Sequence, residues 1–271
     1  METLWSLIVS FWVDGVGIGQ APTAILGKHQ FERVNRRLHG CLIDYTRNHG
    51  RDRRVFSPSL GEKRDMYVYL PPGYDPSKKY PFAIFLHGAA QDEEFFFQSQ
   101  VDQFDQAIAD GKLDPVIIVA PDGSMHGRAN LLKPATFWAN TRVGRFEDYV
   151  MEDVYNFMMN NYPIKPERDY HALIGPSMGG SASFALGIKH RDRFKIAIAF
   201  MPLLNLRYVD SHGHYQGKYE PDSWSYRSQM KNLEPLGRRK FFVLRFGTLT
   251  GLCLGWETRR LVVLVRSIRL N

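Results

Sequence analysis

Four continuous apolar runs constrain this chain more than any other feature: "FAIFLHG" (Phe82–Gly88), "PVIIVAPDG" (Pro115–Gly123), "YHALIG" (Tyr170–Gly175) and "KIAIAFMP" (Lys195–Pro202). A strand with one wet face alternates apolar and polar residues. A strand apolar at nearly every position is buried on both faces, which is the condition inside a parallel sheet covered by helices. The stretches between the runs read as helix. "QDEEFFFQSQVDQFDQAIADGK" has helical spacing and a glycine stop, "RFEDYVMEDVYNFMMNNY" puts Tyr149, Val154, Phe157 and Met158 near one helical face, and a further helix begins near Gly179. Strand and helix alternating in this way predict an α/β fold with a mainly parallel central sheet flanked by helices. Right-handed crossovers then bring the strand C-termini to one edge, where a site is expected.

The length of 271 residues suits one such domain, and 44% hydrophobic residues suffice for a core. The boundaries read as an N-terminal segment over 1–38, the domain over 39–246 with an insertion or lid at about 203–239, and an atypical tail over 247–271. The insertion is irregular and rich in Tyr, Ser, His and Gly. Upstream of the first run, "DMYVYLPP" alternates as a strand should and ends on paired prolines, which cannot extend a ladder. The apolar run Leu4–Val13 is too short to span a bilayer, so no membrane span is expected. No Lys or Arg precedes it and Glu2 has the wrong sign for a signal peptide, yet "APTA" resembles a cleavage site; secreted, periplasmic and cytoplasmic locations all stay open.

The net charge of +7 invites a nucleic-acid reading, but its location argues against one. From Arg238 onward there are eight Lys or Arg and one acid, Glu257, so this C-terminal stretch alone carries +7 and the remaining chain is neutral. Two cysteines, Cys41 and Cys253, are too few for a disulfide framework or a cysteine-rich metal site. No cofactor and no metal are expected.

Chemistry concentrates in Gly175-Pro176-Ser177-Met178-Gly179, a G-x-S-x-G fed by one of the apolar strands and followed by a helix. So sharp a strand-to-helix turn strains the serine backbone and lifts its side chain above the sheet edge. The serine also sits at a helix N-terminus, where free N–H groups and the dipole favour developing negative charge. Ser177 is therefore the expected nucleophile. The oxyanion donors should be the N–H of Met178 and an N–H from the loop after "FLHG", namely Ala89 with Gly88 beside it.

The residues "YLPPGYDPSKKYPFAIFLHGAAQDE", "PVIIVAPDG", "FEDYV" and "GPSMGG" together resemble the esterase family of α/β-hydrolases. That family includes feruloyl and acetyl-xylan esterases, S-formylglutathione hydrolases and the mycolyltransferases. The resemblance spans about Tyr67 to Leu204 and implies serine esterase chemistry on a small-molecule or polysaccharide-linked carboxylic ester. It also implies that Trp138 and Asn140, in "FWAN", line the site, with His87 a further pocket candidate.

The acid and the base are harder to place. In α/β-hydrolases they follow the nucleophile in the order Ser, Asp or Glu, His, on the last core strands. Downstream of Ser177 the histidines are His190, His212 and His214. His190 ends the helix that starts at the elbow, far from the sheet edge. His212 and His214 lie in the insertion "VDSHGHYQGKYEPD", and this "HGH" is too sparse for a metal site. After Arg239 there is no histidine, and Glu257 is the only acid. His214, His212 and Glu257 are the remaining candidates. The change of composition near Phe246 predicts a truncated or frameshifted member, impaired as written. A non-catalytic domain that keeps the pocket, and a serine peptidase or acyltransferase on the same fold, stay open as alternatives.

Overall fold

The computed structural model describes residues 28–127, 136–141 and 144–202, for 28, 29 and 126 the backbone alone, together with the backbone of short strands at 207–209, 215–218, 243–246 and 261–264. The expected lid, most of the tail and the first 27 residues lie outside the described residues.

Six strands form the central sheet: β1 (Cys41–Tyr45), β4 (Met66–Leu70), β5 (Phe82–Phe85), β6 (Ile117–Pro121), β9 (His171–Pro176) and β10 (Ile196–Phe200). Their order is β1-β4-β6-β5-β9-β10. β4 runs antiparallel to both neighbours, whereas β6, β5, β9 and β10 pair in parallel. The C-terminal ends of β5, β6, β9 and β10 therefore share one edge. The intervening β2 (Val55–Ser57) and β3 (Glu62–Arg64) form a small antiparallel pair, as do β7 (Asn140–Thr141) and β8 (Gly144–Arg145). Beyond β10, β11 (Arg207–Val209) pairs with β12 (Tyr215–Lys218), and β13 (Val243–Phe246) with β14 (Leu261–Leu264), each antiparallel.

Alternate residues of the apolar runs serve opposite faces. Val68, Phe82, Ile84, Val119 and Leu173 pack with the helix at residues 146–161 (α3) and with Met178, Ala182 and Leu186 of α4 (Ser177–Lys189). Tyr67, Tyr69, Phe85, Ile118 and Ile198 pack with α1 (Lys28–Arg37) and α2 (Val101–Ala109). Continuous hydrophobicity is thus what a sheet with a helical layer on each face requires. Both long helical predictions include a wide-turned π stretch, Phe96–Gln100 ahead of α2 and Tyr149–Val154 within α3.

The sequence reading does not mark α1 as a helix within the segment 1–38. It docks through Val34 and the flanking Leu38, and the Asn35 amide bonds both the N–H and the carbonyl of Leu42 at 2.8 and 3.0 Å, stitching the helix to β1. Among the described residues no helix is long and apolar enough to cross a membrane.

Candidate active site

Ser177 stands at the junction of β9 and α4 with φ +49°, a left-handed conformation that non-glycine residues avoid. Backbone packing holds it there. A Cβ at Gly179 would lie 1.8 Å from the Leu86 carbonyl oxygen, one at Gly175 2.4 Å from the same oxygen, and one at Gly180 2.7 Å from the Phe200 oxygen. The first turn of α4 therefore rests against the ends of β5 and β10, and only glycine fits at these contacts. Such strain costs on the order of 1–3 kcal/mol and persists only where surrounding packing imposes it. Pro176 precedes the helix with extended backbone and no side-chain cap, so the Met178 N–H at the helix start is not bonded by a capping side chain.

The loop after β5 comes to the same place. A Cβ on Gly88 would lie 3.6 Å from Ser177 Cβ. The Gly88 N–H is already engaged, donating to Gln91 Oε1 at 2.8 Å. Ala89 is exposed and Ala90 has φ +57°. Met201, immediately after β10, has φ +45° and is also exposed. Left-handed non-glycine residues thus follow three adjacent strands at one edge, where strain stored at functional sites gathers. The residue types of Ala90 and Met201 carry no sequence signal for it.

The remaining pocket candidates are placed differently from one another. His87 and Trp138 are buried in the core beneath the loop. The indole lies so close to Gly123 that a Cβ there would meet Trp138 Cη2 at 2.4 Å, and its Nε1–H donates to the His87 carbonyl at 3.2 Å. Asn140 is exposed on β7, where its amide donates to Asp148 Oδ1 at 2.9 Å and its oxygen accepts the Asp148 N–H.

Under this loop lies a buried ionic group that sequence reasoning missed. The Arg64 guanidinium is 1% exposed and reaches Asp122 Oδ2 at 2.9 Å and Glu62 Oε1 at 2.8 Å, with the Phe146 and Tyr149 rings 5.5 and 5.9 Å away. Burial pushes the Asp65 carboxyl up to about 6; the Arg47 N–H opposes this and the Asp122 charge adds to it. Glu93 is raised well above the carboxylate range by burial first, then by the Asp122 and Asp92 charges. Asn48 Nδ2 donates to Glu93 Oε1 at 3.0 Å.

Among the described residues Ser177 Oγ has no hydrogen-bond partner, and the five described imidazoles are bonded elsewhere: His39 to Asp105, His49 to Tyr67, His87 to Gly88 and Gly123, His171 to Lys165 and Arg193, His190 to Glu147. His212, His214 and Glu257 lie outside the described residues.

A three-layered, mainly parallel sheet with a strained serine at the end of a central strand defines an α/β-hydrolase. Residues 57–241 match the family described as "Putative esterase", and the chain belongs to that family. It is 28% identical over 181 residues to the S-formylglutathione hydrolase of Mus musculus, covering 60% of this chain and 61% of that one. It is 26% identical over 193 residues to endo-1,4-beta-xylanase Y of Acetivibrio thermocellus, covering 66% of this chain and 16% of the relative. The chain thus spans less than two thirds of either relative. A ferulic acid esterase from Anaeromyces mucronatus, solved in complex with ferulic acid, superposes with a TM-score of 0.51 at 25% identity over 67% of this chain and 64% of its own. A second ferulic acid esterase, at 23% identity and a TM-score of 0.55 over 72% of this chain and 69% of its own, shares the fold.

Proposed function

We propose that this chain is a serine carboxylic-ester hydrolase in which Ser177 is the nucleophile and the N–H groups of Met178 and Ala89 receive the oxyanion. The observation that carries this is the φ of +49° at Ser177, on a turn whose Cβ faces Gly88 across 3.6 Å to the Cβ position there. In this reading Ser177 Oγ attacks the acyl carbon, the carbonyl oxygen becomes an oxyanion between the two N–H groups, and the alcohol departs with a proton. Water then cleaves the acyl-serine and returns the proton to Ser177. The acid and base belong to residues outside the described ones, with His212, His214 and Glu257 the candidates. A serine hydroxyl without a base is a weak nucleophile at neutral pH, so their location decides the turnover.

The substrate is a small-molecule or polysaccharide-linked ester. Similarity to an S-formylglutathione hydrolase and to a ferulic acid esterase supports short acyl thioesters and aromatic acyl esters as the first to test. A second reading, a non-catalytic domain that keeps the pocket, draws support from the engagement of every described imidazole with groups other than Ser177.

A fluorophosphonate probe separates the two. The 271-residue chain should be labelled stoichiometrically on Ser177 and should hydrolyse p-nitrophenyl acetate, and Ser177→Ala should abolish both. Neither labelling nor turnover supports the non-catalytic reading. Equal labelling of Ser177→Ala rules out this serine.

A further inference from the structure

His87 touches more of the oxyanion loop than a core histidine needs to. Gly123 donates its N–H to His87 Nε2 at 2.8 Å, so that nitrogen carries no proton. Burial pulls the ring's pKa below the usual histidine value, against the opposing Asp122 charge, so the ring is neutral. Its single proton must therefore be on Nδ1, which lies 2.8 Å from the Gly88 carbonyl oxygen, a group that can only accept. Asp122 Oδ1, at 3.9 Å from Nε2, is beyond hydrogen-bond range.

The Gly88 oxygen belongs to the peptide that joins Gly88 to Ala89. That peptide is trans, as all described ones are, and in a planar trans peptide the N–H points opposite the C=O. Fixing the oxygen of Gly88 therefore fixes the direction of the Ala89 N–H. The preceding peptide is held as well, through the Trp138 Nε1–H on the His87 carbonyl and Gln91 on the Gly88 N–H. The ring itself is fixed by Gly123, whose N–H selects the tautomer and whose missing side chain leaves room for the indole.

We propose that His87 is a positioning residue for ester hydrolysis: its Nδ1–H anchors the Gly88 carbonyl and so aims the Ala89 N–H at the oxyanion formed on Ser177. The proposal rests on the reading of Ser177 and Ala89 given above. His87 exchanges no proton in the reaction. Its effect falls on the tetrahedral state and leaves ground-state binding alone, because the oxyanion is present only there.

Phenylboronic acid tests this at equilibrium: the serine oxygen bonds to boron to give an anionic tetrahedral boronate, and the hydroxyl proton passes to the buffer, so the adduct can form without a resident general base. Binding to the 271-residue chain is followed by boron-11 NMR for the wild type, Ser177→Ala, His87→Asn, His87→Gln and His87→Leu. Asparagine keeps a donor where Nδ1 stands and loses the acceptor for Gly123. Glutamine keeps an acceptor where Nε2 stands and loses the donor, and leucine keeps neither. His87→Asn should stay within about threefold of wild-type affinity while His87→Gln and His87→Leu weaken it about tenfold or more, the scale of a misaimed catalytic group. Binding of a neutral, non-covalent ester analogue should not change.

Equal boronate affinity across the folded His87 variants, or losses that follow their thermal stability whichever nitrogen is replaced, would overturn this proposal alone. No adduct in the wild type, or the same adduct in Ser177→Ala, would overturn the Ser177 reading and this proposal with it. A nitrogen-15 spectrum of the wild type gives a check that needs no variant to fold: the His87 proton should be on Nδ1, and a proton on Nε2 would refute the anchor.

Discussion

Two turns face each other across the proposed site, and they are held by different means. The turn after β9 is held by backbone against backbone, with Gly175 and Gly179 pressed onto the Leu86 carbonyl. The turn after β5 is held by side chains: His87, Gln91 and Trp138 engage successive peptide groups, and Arg64 with Asp122 supports the Gly123 turn beneath. A turn fixed by sterics tolerates no added atom but is indifferent to charge. A turn fixed by polar side chains can be weakened by degrees and responds to protonation.

The largest expected effect breaks the first turn. Gly179→Ala places a methyl group 1.8 Å from a backbone oxygen that cannot move without shifting β5. The variant should fail to fold or lose more than about 4 kcal/mol in urea unfolding. Gly61→Ala is the control: φ is +68° with nothing within 4 Å of the added carbon, so it carries only the left-handed penalty of about 1–2 kcal/mol. A loss at Gly179→Ala no larger than the loss at Gly61→Ala would show that the Leu86 carbonyl gives way and that this contact does not make glycine obligatory.

The second effect removes the support of the other turn. Arg64→Met retains most of the volume packed on Phe146 and Tyr149 but leaves the buried Asp122 carboxylate without its cation. Breaking a buried pair by deleting one partner costs about 3–5 kcal/mol. The double variant Arg64→Met/Asp122→Asn should recover part of that loss. A single variant as stable as wild type would mean that the pair is dispensable to the fold.

The third effect is pH, which should act on the β5 side alone. Asp65 is buried beside Asp122, and burial raises its carboxyl to about 6 from the ordinary value of 3.8. A raised acid favours the folded state while protonated. Its contribution is complete below pH about 4 and is lost as pH rises through about 6, with a span of up to about 3 kcal/mol. Unfolding at pH 4, 6 and 8 should show wild type losing more stability than Asp65→Asn over that range. A parallel decline of the two would assign the pH dependence to other groups, Glu93 first among them.

The same contrast explains what could be read from the amino-acid sequence. The β9 turn is contiguous: strand, G-x-S-x-G and helix occupy one stretch, and its glycines mark where backbones touch. The apolar runs likewise announced β5, β6, β9 and β10, because a strand buried on both faces has no polar positions to spare. The β5 turn is written across the chain. His87 meets Gly123 and Trp138 at separations of 36 and 51 residues, and no local pattern records that Trp138 lies in the core beneath the turn. Helix α1 was missed for a related reason: "KHQFERVNRR" is mostly polar, and it is held by Val34 and by the Asn35 bridge to β1. The π stretches before α2 and within α3 are only five and six residues long, too short for apolar periodicity to reveal them.

The smallest expected effect concerns which N–H of the β5 turn meets the oxyanion, and it sharpens the comparison most. Gly88 and Ala89 are both candidates by position, but the Gly88 N–H is bonded to Gln91 Oε1 at 2.8 Å. Gln91→Leu removes that acceptor while leaving the His87 anchor on the Gly88 carbonyl in place. If Ala89 is the donor, stability should fall by about 1 kcal/mol, the worth of one neutral hydrogen bond, while affinity for phenylboronic acid changes less than about threefold. If Gly88 is the donor, freeing its N–H should tighten the boronate instead, because a charge-assisted hydrogen bond to an anionic oxygen is roughly twice as strong as a neutral one. The two donors thus predict opposite signs in one titration, and a gain in affinity would move the oxyanion site one residue toward β5.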